Sequence, residues 1–404
     1  MIMSGRKRIM SGKTEIAIHV AGDDSCRILS GDGLDGLCLL LSGYMSVYVV
    51  YDRNAVTHVE QALEHAVEGG INVCGKYPLT ATEENKTVDT VMDICRWLME
   101  TGADRKSLLL VFGGGITTDV AGFAASIYRR GIRFAFVPTT LLAQVDASIG
   151  GKNGVNIDSY KNMAGVIRQP DFIYICPAVL ETLEYRTFLS GAAEMLKTFI
   201  IAAPGYYAKA VEFLSWMHGS LSGGVQGRMQ ECYGQIVRSH RREITDMIME
   251  AVAIKAGIVS EDAFESGERR KLNLGHTFAH AFEWYGMADA AHCPDAGTGQ
   301  EIPHGAAVSM GIIMAARLSE ALGVCRPGLA SMLMHDFSSC GLPVACPFPP
   351  ERLAGAMARD KKSENGNIHF ILIRDIGSVI EYDMTAETAA STLAGSVGGH
   401  EKTM

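Results

Sequence analysis

The chain is short of several features that would settle its class at a glance. Only 7% of its 404 residues are aromatic and three are tryptophan. It has no uninterrupted apolar run of the roughly 18 residues that a spanning helix needs, so no membrane segment is expected. The longest candidate, LCLLLSGYMSVYVVY, is interrupted by Ser and Gly and divides into a helix end or loop followed by a strand. Ten cysteines occur without a CxxC pair or regular spacing, in a chain too long to depend on a disulfide framework. Free thiols in a reducing compartment, the cytoplasm, are the expectation. Positive charge is also scarce: 36 Lys and Arg against 45 Asp and Glu give a net charge of -9. That balance argues against nucleic-acid binding, which needs a broad basic face, and leaves room for a local basic pocket. The basic start, MIMSGRKRIMSGK, is not followed by the apolar stretch of a secretory signal. What the chain does have is 48% hydrophobic residues and length enough for two domains with a large core.

From Glu15 to about Cys176 the runs EIAIHV, SVYVVY, INVC, SLLLVF, RFAFV and FIYIC alternate with longer helical patterns. That alternation is the mark of βαβ units on a mainly parallel sheet. After Pro177 the periodicity becomes helical in the segments beginning VLETLEYR, YGQIVRSH, HTFAHAFE, GAAVSMGI and PERLAGAM, with HFILIR as a late strand. The expected fold is therefore an α/β nucleotide-binding domain over residues 1–177 and a mostly helical domain over 178–404. Two polar, Gly-rich stretches, Ser220 to Gly227 and Ala288 to Pro303, read as surface loops.

In SLLLVFGGGITTDVAGFAA an apolar strand runs into Gly113, Gly114 and Gly115 and then a small-residue helix expected to begin near Thr118 or Asp119. Glycines there let backbone N–H groups approach a pyrophosphate at a helix N-terminus, although a tight structural turn would have the same composition. Asp52, ending SVYVVYD, is either a ribose-binding carboxylate or a turn aspartate. Further on, VPTTLLAQVDASIGGKNGVNIDSYKNMAGVIRQP gathers Asp146, Lys152, Lys161 and Asn162 around Gly150 and Gly151. Lysines beside glycine turns suit an anionic ligand, and singly they suit a solvated loop as well.

In SGAAEMLKTFII, Glu194 and Lys197 stand at i, i+3 in an otherwise small and apolar helix. A carboxylate in that setting must be paired, protonated or metal-bound. LNLGHTFAHAFE sets Asn273, His276 and His280 at i, i+3 and i+7, which on a helix is one face. Two imidazoles at i, i+4 can converge on a divalent cation, but the HExxH signature is missing. Glu194 with His276 and a second histidine, His304 in IPHGAAV, would leave an open coordination position, as catalytic zinc requires. Lys255, Arg269 and the pair Lys361 and Lys362 could serve an anion-rich substrate or the surface.

Taken in order, GGGITTDVAGF, VPTTLLAQVDASIGGKNGVN, KNMAGVIRQP, SGAAEMLK, KLNLGHTFAHAFE, PHGAAV and DKK resemble the 3-dehydroquinate synthase family of sugar-phosphate cyclases, over about Glu15 to Gly377. A more distant resemblance is to iron- and zinc-dependent polyol dehydrogenases. The family resemblance implies Glu194, His276 and His304 as ligands of zinc or cobalt. It implies Lys152, His280, Asn273, Lys197 and Arg269 as catalytic groups. Arg130, Asp146, Asn162, Lys255 and Lys361 would join them around the substrate, Arg130 reaching in from the second subunit of a homodimer. NAD would lie against Asp52, Glu83, Lys86, Gly114, Gly115, Ile116, Thr117, Thr118, Asp119, Thr139, Thr140, Lys152, Lys161, Val179 and Thr182.

The implied reaction turns 3-deoxy-D-arabino-heptulosonate 7-phosphate into 3-dehydroquinate and phosphate. It proceeds by transient NAD-dependent oxidation, β-elimination, re-reduction and intramolecular aldol closure, without net redox change. Alternatives are another cyclase of the 2-epi-5-epi-valiolone synthase type, a polyol dehydrogenase or a catalytically silent scaffold. The chain departs from the family pattern at Asn153, where Thr usually follows GGK, and in ATEENK, HGAAV and the long loop before His304. These departures bear on affinity and substrate scope, since no expected ligand is replaced.

Overall fold

The computed structural model describes residues 8–10, 13–19, 25–158, 160–223, 228–287, 302–346, 348–357, 363–364 and 367–398. The chain divides into two compact units, 1–191 with 230–264 and 192–229 with 265–404. The boundary at residue 177 drawn from the sequence marks the end of the β-rich pattern. By compactness, residues 178–191 and 230–264 go with the first unit.

The first unit begins with strands β1 (Arg8–Met10), β2 (Lys13–His19), β3 (Ser25–Ser30), β4 (Val47–Asp52), β5 (Val73–Leu79), β6 (Leu108–Gly113) and β7 (Arg133–Pro138). A hairpin of β8 (Lys152–Ile157) and β9 (Tyr160–Ile167) and then β10 (Phe172–Ile175) follow. Helices α1 (Leu37–Leu41), α2 (Val56–Glu68), α3 (Val88–Glu100) and α4 (Gly115–Ile127) lie between the strands in sequence. Every residue of β6 is buried, and LLLVFG carries no polar alternation because both faces of a parallel sheet are covered. On α2, Val59, Ala62, Leu63 and Ala66 form one buried stripe, which meets Val49, Leu110, Phe112 and Val137 in the core. The Thr87 hydroxyl accepts from Thr90 N–H and starts α3.

The eight-stranded sheet runs β1-β2-β3-β10-β7-β6-β4-β5. From β3 to β5 all neighbours are parallel, while β1 and β2 add an antiparallel edge. The chain goes from β4 outward to β5 and then returns past β4 to β6. Connections thus leave in opposite directions beside the β4–β6 pair, which opens a crevice outside the carboxyl ends of these two strands. Asp52 ends one of them and Gly113 the other.

Two local expectations are corrected. Helix α4 starts at Gly115 rather than near Thr118, because Gly114 is extended and the hydroxyl of Thr118 already bonds the Gly115 carbonyl within the first turn. The Lys-, Asn- and Gly-rich stretch after Gly151 forms the β8–β9 hairpin, where no strand is expected from composition.

Helix α5 (Tyr185–Ala202) carries the chain from Tyr185 into the residues of the second unit, where α6 (Pro204–Ser222) follows. Then α7 (Met229–Ser239) and α8 (Arg241–Glu261) complete the first unit. Their sequence reads as one helix, but it breaks at His240, whose backbone leaves the helical region.

The second unit continues with α9 (His276–Met287), α10 (His304–Ala321), α11 (Leu329–Ser339) and α12 (Pro350–Met357). Strands β11 (Ser363–Glu364), β12 (Asn367–Asp375) and β13 (Ser378–Met384) form a small antiparallel sheet before α13 (Ala386–Gly398). Helix α10 is buried over most of its surface. Gly275, with φ of +79°, and Gly311 let α9 approach it closely: a Cβ on Gly311 would lie 2.2 Å from the Gly275 carbonyl oxygen. Among the described residues no helix is long and apolar enough to cross a membrane.

Candidate active site

Glu194, His276 and His304 converge in the second unit, with one donor atom from each within 4.8 Å of the others. Three helices supply them: Glu194 from the middle of α5, His276 from the first position of α9 and His304 from the first of α10. The close approach of Gly275 to Gly311 sets the start of α9 against α10 two turns beyond His304. His276 Nε2 is 3.6 Å and His304 Nε2 3.2 Å from Glu194 Oε1.

The outer nitrogens are engaged. Nδ1 of His276 is 3.2 Å from the Leu274 carbonyl oxygen, and Nδ1 of His304 is 3.0 Å from Glu283 Oε1. Contacts at Nδ1 turn both Nε2 atoms toward the cluster, where a cation would displace any Nε2 proton, and that is how a ligating histidine is oriented.

Glu194 is fully buried, and neither of its oxygens has a hydrogen bond of ordinary geometry. Lys197 Nζ nevertheless stands 2.5 Å from Oε2, so the pair is ionic without an aligned hydrogen bond. Burial alone would raise the Glu194 carboxyl, but Lys197 and then His304 outweigh it and bring it to about 2. His304 shifts the other way: burial would lower it, yet Glu194 and Glu283 together push it to about 10. An ionised carboxylate whose Oε1 faces two imidazole nitrogens, with Lys197 balancing Oε2, fits a divalent metal of zinc or cobalt type.

The ring centre of His280 lies 5.6 Å from that of His276, edge to face, one turn further along α9. Asn273 is not on that helix. It ends the 3-10 turn Glu268–Asn273, and Gly275 in the left-handed region separates it from His276, so the face expected from the spacing is broken. Its Nδ2 donates to Glu265 Oε1 at 2.6 Å. Lys197 and Arg269 are buried cations of the same unit, 1% and 3% exposed. Lys361 lies outside the described residues.

In the first unit a second set gathers at the carboxyl edge of the sheet. Lys86 Nζ donates to Asp119 Oδ2 and to Asn162 Oδ1, both at 2.6 Å. Asn156 donates to Glu83 and accepts from the Asn162 backbone N–H, which ties the β8–β9 hairpin to this segment. Burial raises the Asp119 carboxyl, and Lys86 only partly opposes the shift.

Gly114, Gly115 and Ile116 open α4, and the Thr117 hydroxyl is buried without a hydrogen-bond partner. Gly114 packs against Thr140, whose hydroxyl accepts from Ala143 N–H, while Thr139 continues from β7 and is buried. Asp52 accepts from Asn54 N–H, as a turn aspartate does, and burial raises its carboxyl. Thr182 donates to the carbonyl of buried Val179 and stands 2.8 Å from His58 Nε2.

Asp146 receives Lys255 Nζ on both its carboxylate and its carbonyl, at 2.6 and 2.7 Å. Lys152 is exposed at the start of β8, and Lys161 is half-buried in β9. Arg130 is exposed, with φ of +67°.

Three polar partners in these clusters escaped the sequence reading. Glu283 stands seven residues after His276, on the same face of α9, so periodicity could have found it. Glu265 holds Asn273 from a left-handed backbone position that no local residue pattern announces. His58 meets Thr182 from far away in sequence.

Comparison with known proteins places this architecture. A 2-epi-5-epi-valiolone synthase from Streptomyces hygroscopicus, solved with NAD+ and Zn2+, superposes over 95% of this chain and 99% of its own, with TM-score 0.78 and 23% identity. A 2-deoxy-scyllo-inosose synthase, complexed with carbaglucose-6-phosphate, NAD+ and Co2+, does so over the same shares with TM-score 0.74 and 20% identity. The fold is that of the sugar-phosphate cyclases.

Family models described as 3-dehydroquinate synthase N-terminal and C-terminal match residues 76–190 and 191–363. The 3-dehydroquinate synthase of Pyrococcus abyssi is 39% identical over 77% of this chain and 82% of its own length. That of Acidithiobacillus ferrooxidans is 35% identical over 89% and 92%. The chain belongs to the 3-dehydroquinate synthase family, and its reaction is that of a lyase acting on a phosphate-containing substrate.

Proposed function

We propose that the chain makes 3-dehydroquinate with the residues described above, holding zinc or cobalt on Glu194, His276 and His304 and NAD along the carboxyl edge of the first unit. The observation that carries the metal assignment is the buried Glu194 carboxylate, whose Oε1 faces two histidines oriented through their outer nitrogens. For NAD the support is the crevice between Asp52 and the Gly113 to Gly115 turn, at the start of a helix whose first turn carries an orphaned Thr117 hydroxyl. When bound, NAD supplies reversible hydride transfer at a ring carbon and the metal supplies Lewis acidity toward the oxygen on that carbon.

The chain's own residues do the rest. Lys197 and Arg269 are cations held in buried positions, where attraction to a carboxylate or phosphate is screened least. Lys152 contributes a third cation, Asn162 and Asn273 polar contacts, and one lysine of DKK, Lys361, a further charge. Lys255 fixes Asp146 through two bonds and so sets which carboxylate oxygen faces the substrate. To His280 we assign the passage of a proton between the substrate and its surroundings. Lys86, Asp119, Glu83, Lys161, Thr139, Thr140, Val179 and Thr182 complete the cofactor set. We assign the chain to the cytoplasm, supported by nine free cysteines among the described residues. We also assign it a homodimeric state, in which the exposed Arg130 serves the neighbouring subunit.

The test is phosphate release from 3-deoxy-D-arabino-heptulosonate 7-phosphate with NAD+ and zinc, with and without a chelator, while absorbance at 340 nm is followed. Chelator-sensitive release with dehydroquinate formed and no accumulation of NADH is the expected result. Release from sedoheptulose 7-phosphate alone would move the substrate assignment to a sister cyclase, and NADH accumulating from a simple polyol would overturn the cyclase chemistry.

A further inference from the structure

The root of the β8–β9 hairpin is closed by one buried side chain. Asn153 is 3% exposed, and its Nδ2 donates to two backbone carbonyls that flank the hairpin, Gly151 O at 2.8 Å and Arg168 O at 2.9 Å. The Gly151 carbonyl also accepts from the Arg168 N–H at 2.7 Å. The other end of the carboxamide has a different environment. Oδ1 is buried without a hydrogen-bond partner, against Gly122 of α4, where an added Cβ would lie 2.0 Å from it. Only glycine leaves that notch. The amide has a single workable orientation, because turning it over would set Oδ1 against two carbonyl oxygens.

Lys152 sits between this clasp and two glycines, Gly150 and Gly151, with φ of +102° and +71°. Glycines in the left-handed region fix the turn at no steric cost but give the chain freedom to leave it. The clasp acts on that side of Lys152: Asn153 Nδ2 and the Arg168 N–H both hold the Gly151 carbonyl, which limits the freedom that the two glycines would otherwise give. An orphaned buried acceptor is an unfavourable feature, and what it accompanies here is the two-point grip of Nδ2.

We propose that Asn153 is a positioning residue that holds Lys152 in its working orientation, and that Gly122 is its required complement. The role rests on the reading above, in which Lys152 contacts substrate and NAD. A charged end group needs its backbone fixed to well under an ångström for full effect, and loosening it costs on the order of 10²-fold in rate.

The experiment is a double-mutant cycle with Asn153→Ala and Lys152→Ala on the zinc-loaded full chain. It is read as kcat, KM and the NAD+ dissociation constant, with hydrogen exchange at the Arg168 amide. Asn153→Ala is expected to lower kcat/KM by about 10- to 100-fold and to weaken NAD+ binding. It should speed Arg168 exchange while leaving zinc content unchanged, and add nothing to Lys152→Ala. Asn153→Thr, which keeps one donor, should recover part of the loss, and it replaces the alanine variant if that chain does not fold. Gly122→Ala should impair the wild type strongly and the Asn153→Ala background little.

A full additive loss in the double mutant, or wild-type kinetics in Asn153→Ala, overturns the proposal while the Lys152 reading stands. Wild-type kinetics and NAD+ affinity in Lys152→Ala overturn that reading instead, and the positioning role with it.

Discussion

Among the described residues, two places in the second unit bring histidine and carboxylate donor atoms within 4.8 Å of one another, one with two histidines and a single carboxylate, the other with one histidine and two. Glu194, His276 and His304 come from three helices, around a fully buried carboxylate whose two oxygens make no aligned hydrogen bond. His369, Glu381 and Asp383 come from the β12–β13 hairpin, with His369 directly across from Asp383 and both carboxylates solvent-accessible. There Nδ1 of His369 is already satisfied by Asp383 at 2.6 Å and Glu381 at 3.0 Å, and Arg270 adds a bond to Glu381. In the first cluster two outer-anchored imidazoles turn Nε2 toward a buried carboxylate oxygen, and in the second Nδ1 of His369 is held by exposed carboxylates on a hairpin. Proximity of ligand types is therefore a poor guide without the orientation of the outer nitrogen and the burial of the carboxylate.

The strongest way to break this contrast is to remove a helix-borne ligand. Glu194→Ala or His276→Ala should abolish stoichiometric metal binding and lower phosphate release by about 10³-fold or more, since Lewis-acid stabilisation amounts to several kcal/mol. Metal analysis alongside turnover checks it, and survival of both would remove the cluster from the chemistry. Next comes Gly275→Ala. A Cβ there would lie 2.8 Å from the Ile312 nitrogen at a φ of +79°. The substitution should cost roughly 1–3 kcal/mol of stability and loosen metal retention, measurable by denaturation and chelator challenge. A smaller effect is expected for Glu283→Gln, which takes away the carboxylate that orients His304. Metal affinity should weaken about 10- to 100-fold with the melting temperature little changed, and unaltered affinity would mean His304 is oriented by other groups. Least of all, Asp383→Asn should leave metal stoichiometry and turnover unchanged and shift stability by no more than about 1 kcal/mol. A drop by one metal per chain would erase the distinction between the two clusters.

How much of this was legible in the sequence follows the same physics. Glu194 stood out because a carboxylate in SGAAEMLKTFII has few ways to exist, and Glu194, His276 and His304 do meet. The parallel sheet was legible because β4, β6, β7 and β10 are nearly continuous apolar runs. Asn273 was assigned a helical face it does not have, since periodicity cannot register that Gly275 adopts φ of +79°. The β8–β9 hairpin carried no strand signal: Gly, Asn and Lys are there for polar contacts, and long-range pairing to Lys86 and Thr87 fixes their backbone. Strand β3 was missed as well, because the alternation in the short run SCRILS breaks at Leu29 and the segment gains its order from β2 and β10. Glu265 and His58 act through contacts that only folding creates.

The discontinuous make-up of the two units bears on how the chain folds as it leaves the ribosome. Residues 1–191 contain the whole eight-stranded sheet, yet α8, which supplies Lys255 to Asp146, is synthesised only after α5 and α6. The first unit must therefore wait for residue 264 before its own contacts are complete, with the start of the second unit already out. Interleaving of this kind raises the sequence separation of native contacts and slows the rate-limiting closure. A fragment cut at Gly191 would keep every strand of the sheet and still lack a covering helix, which makes it a candidate for aggregation rather than an independent domain.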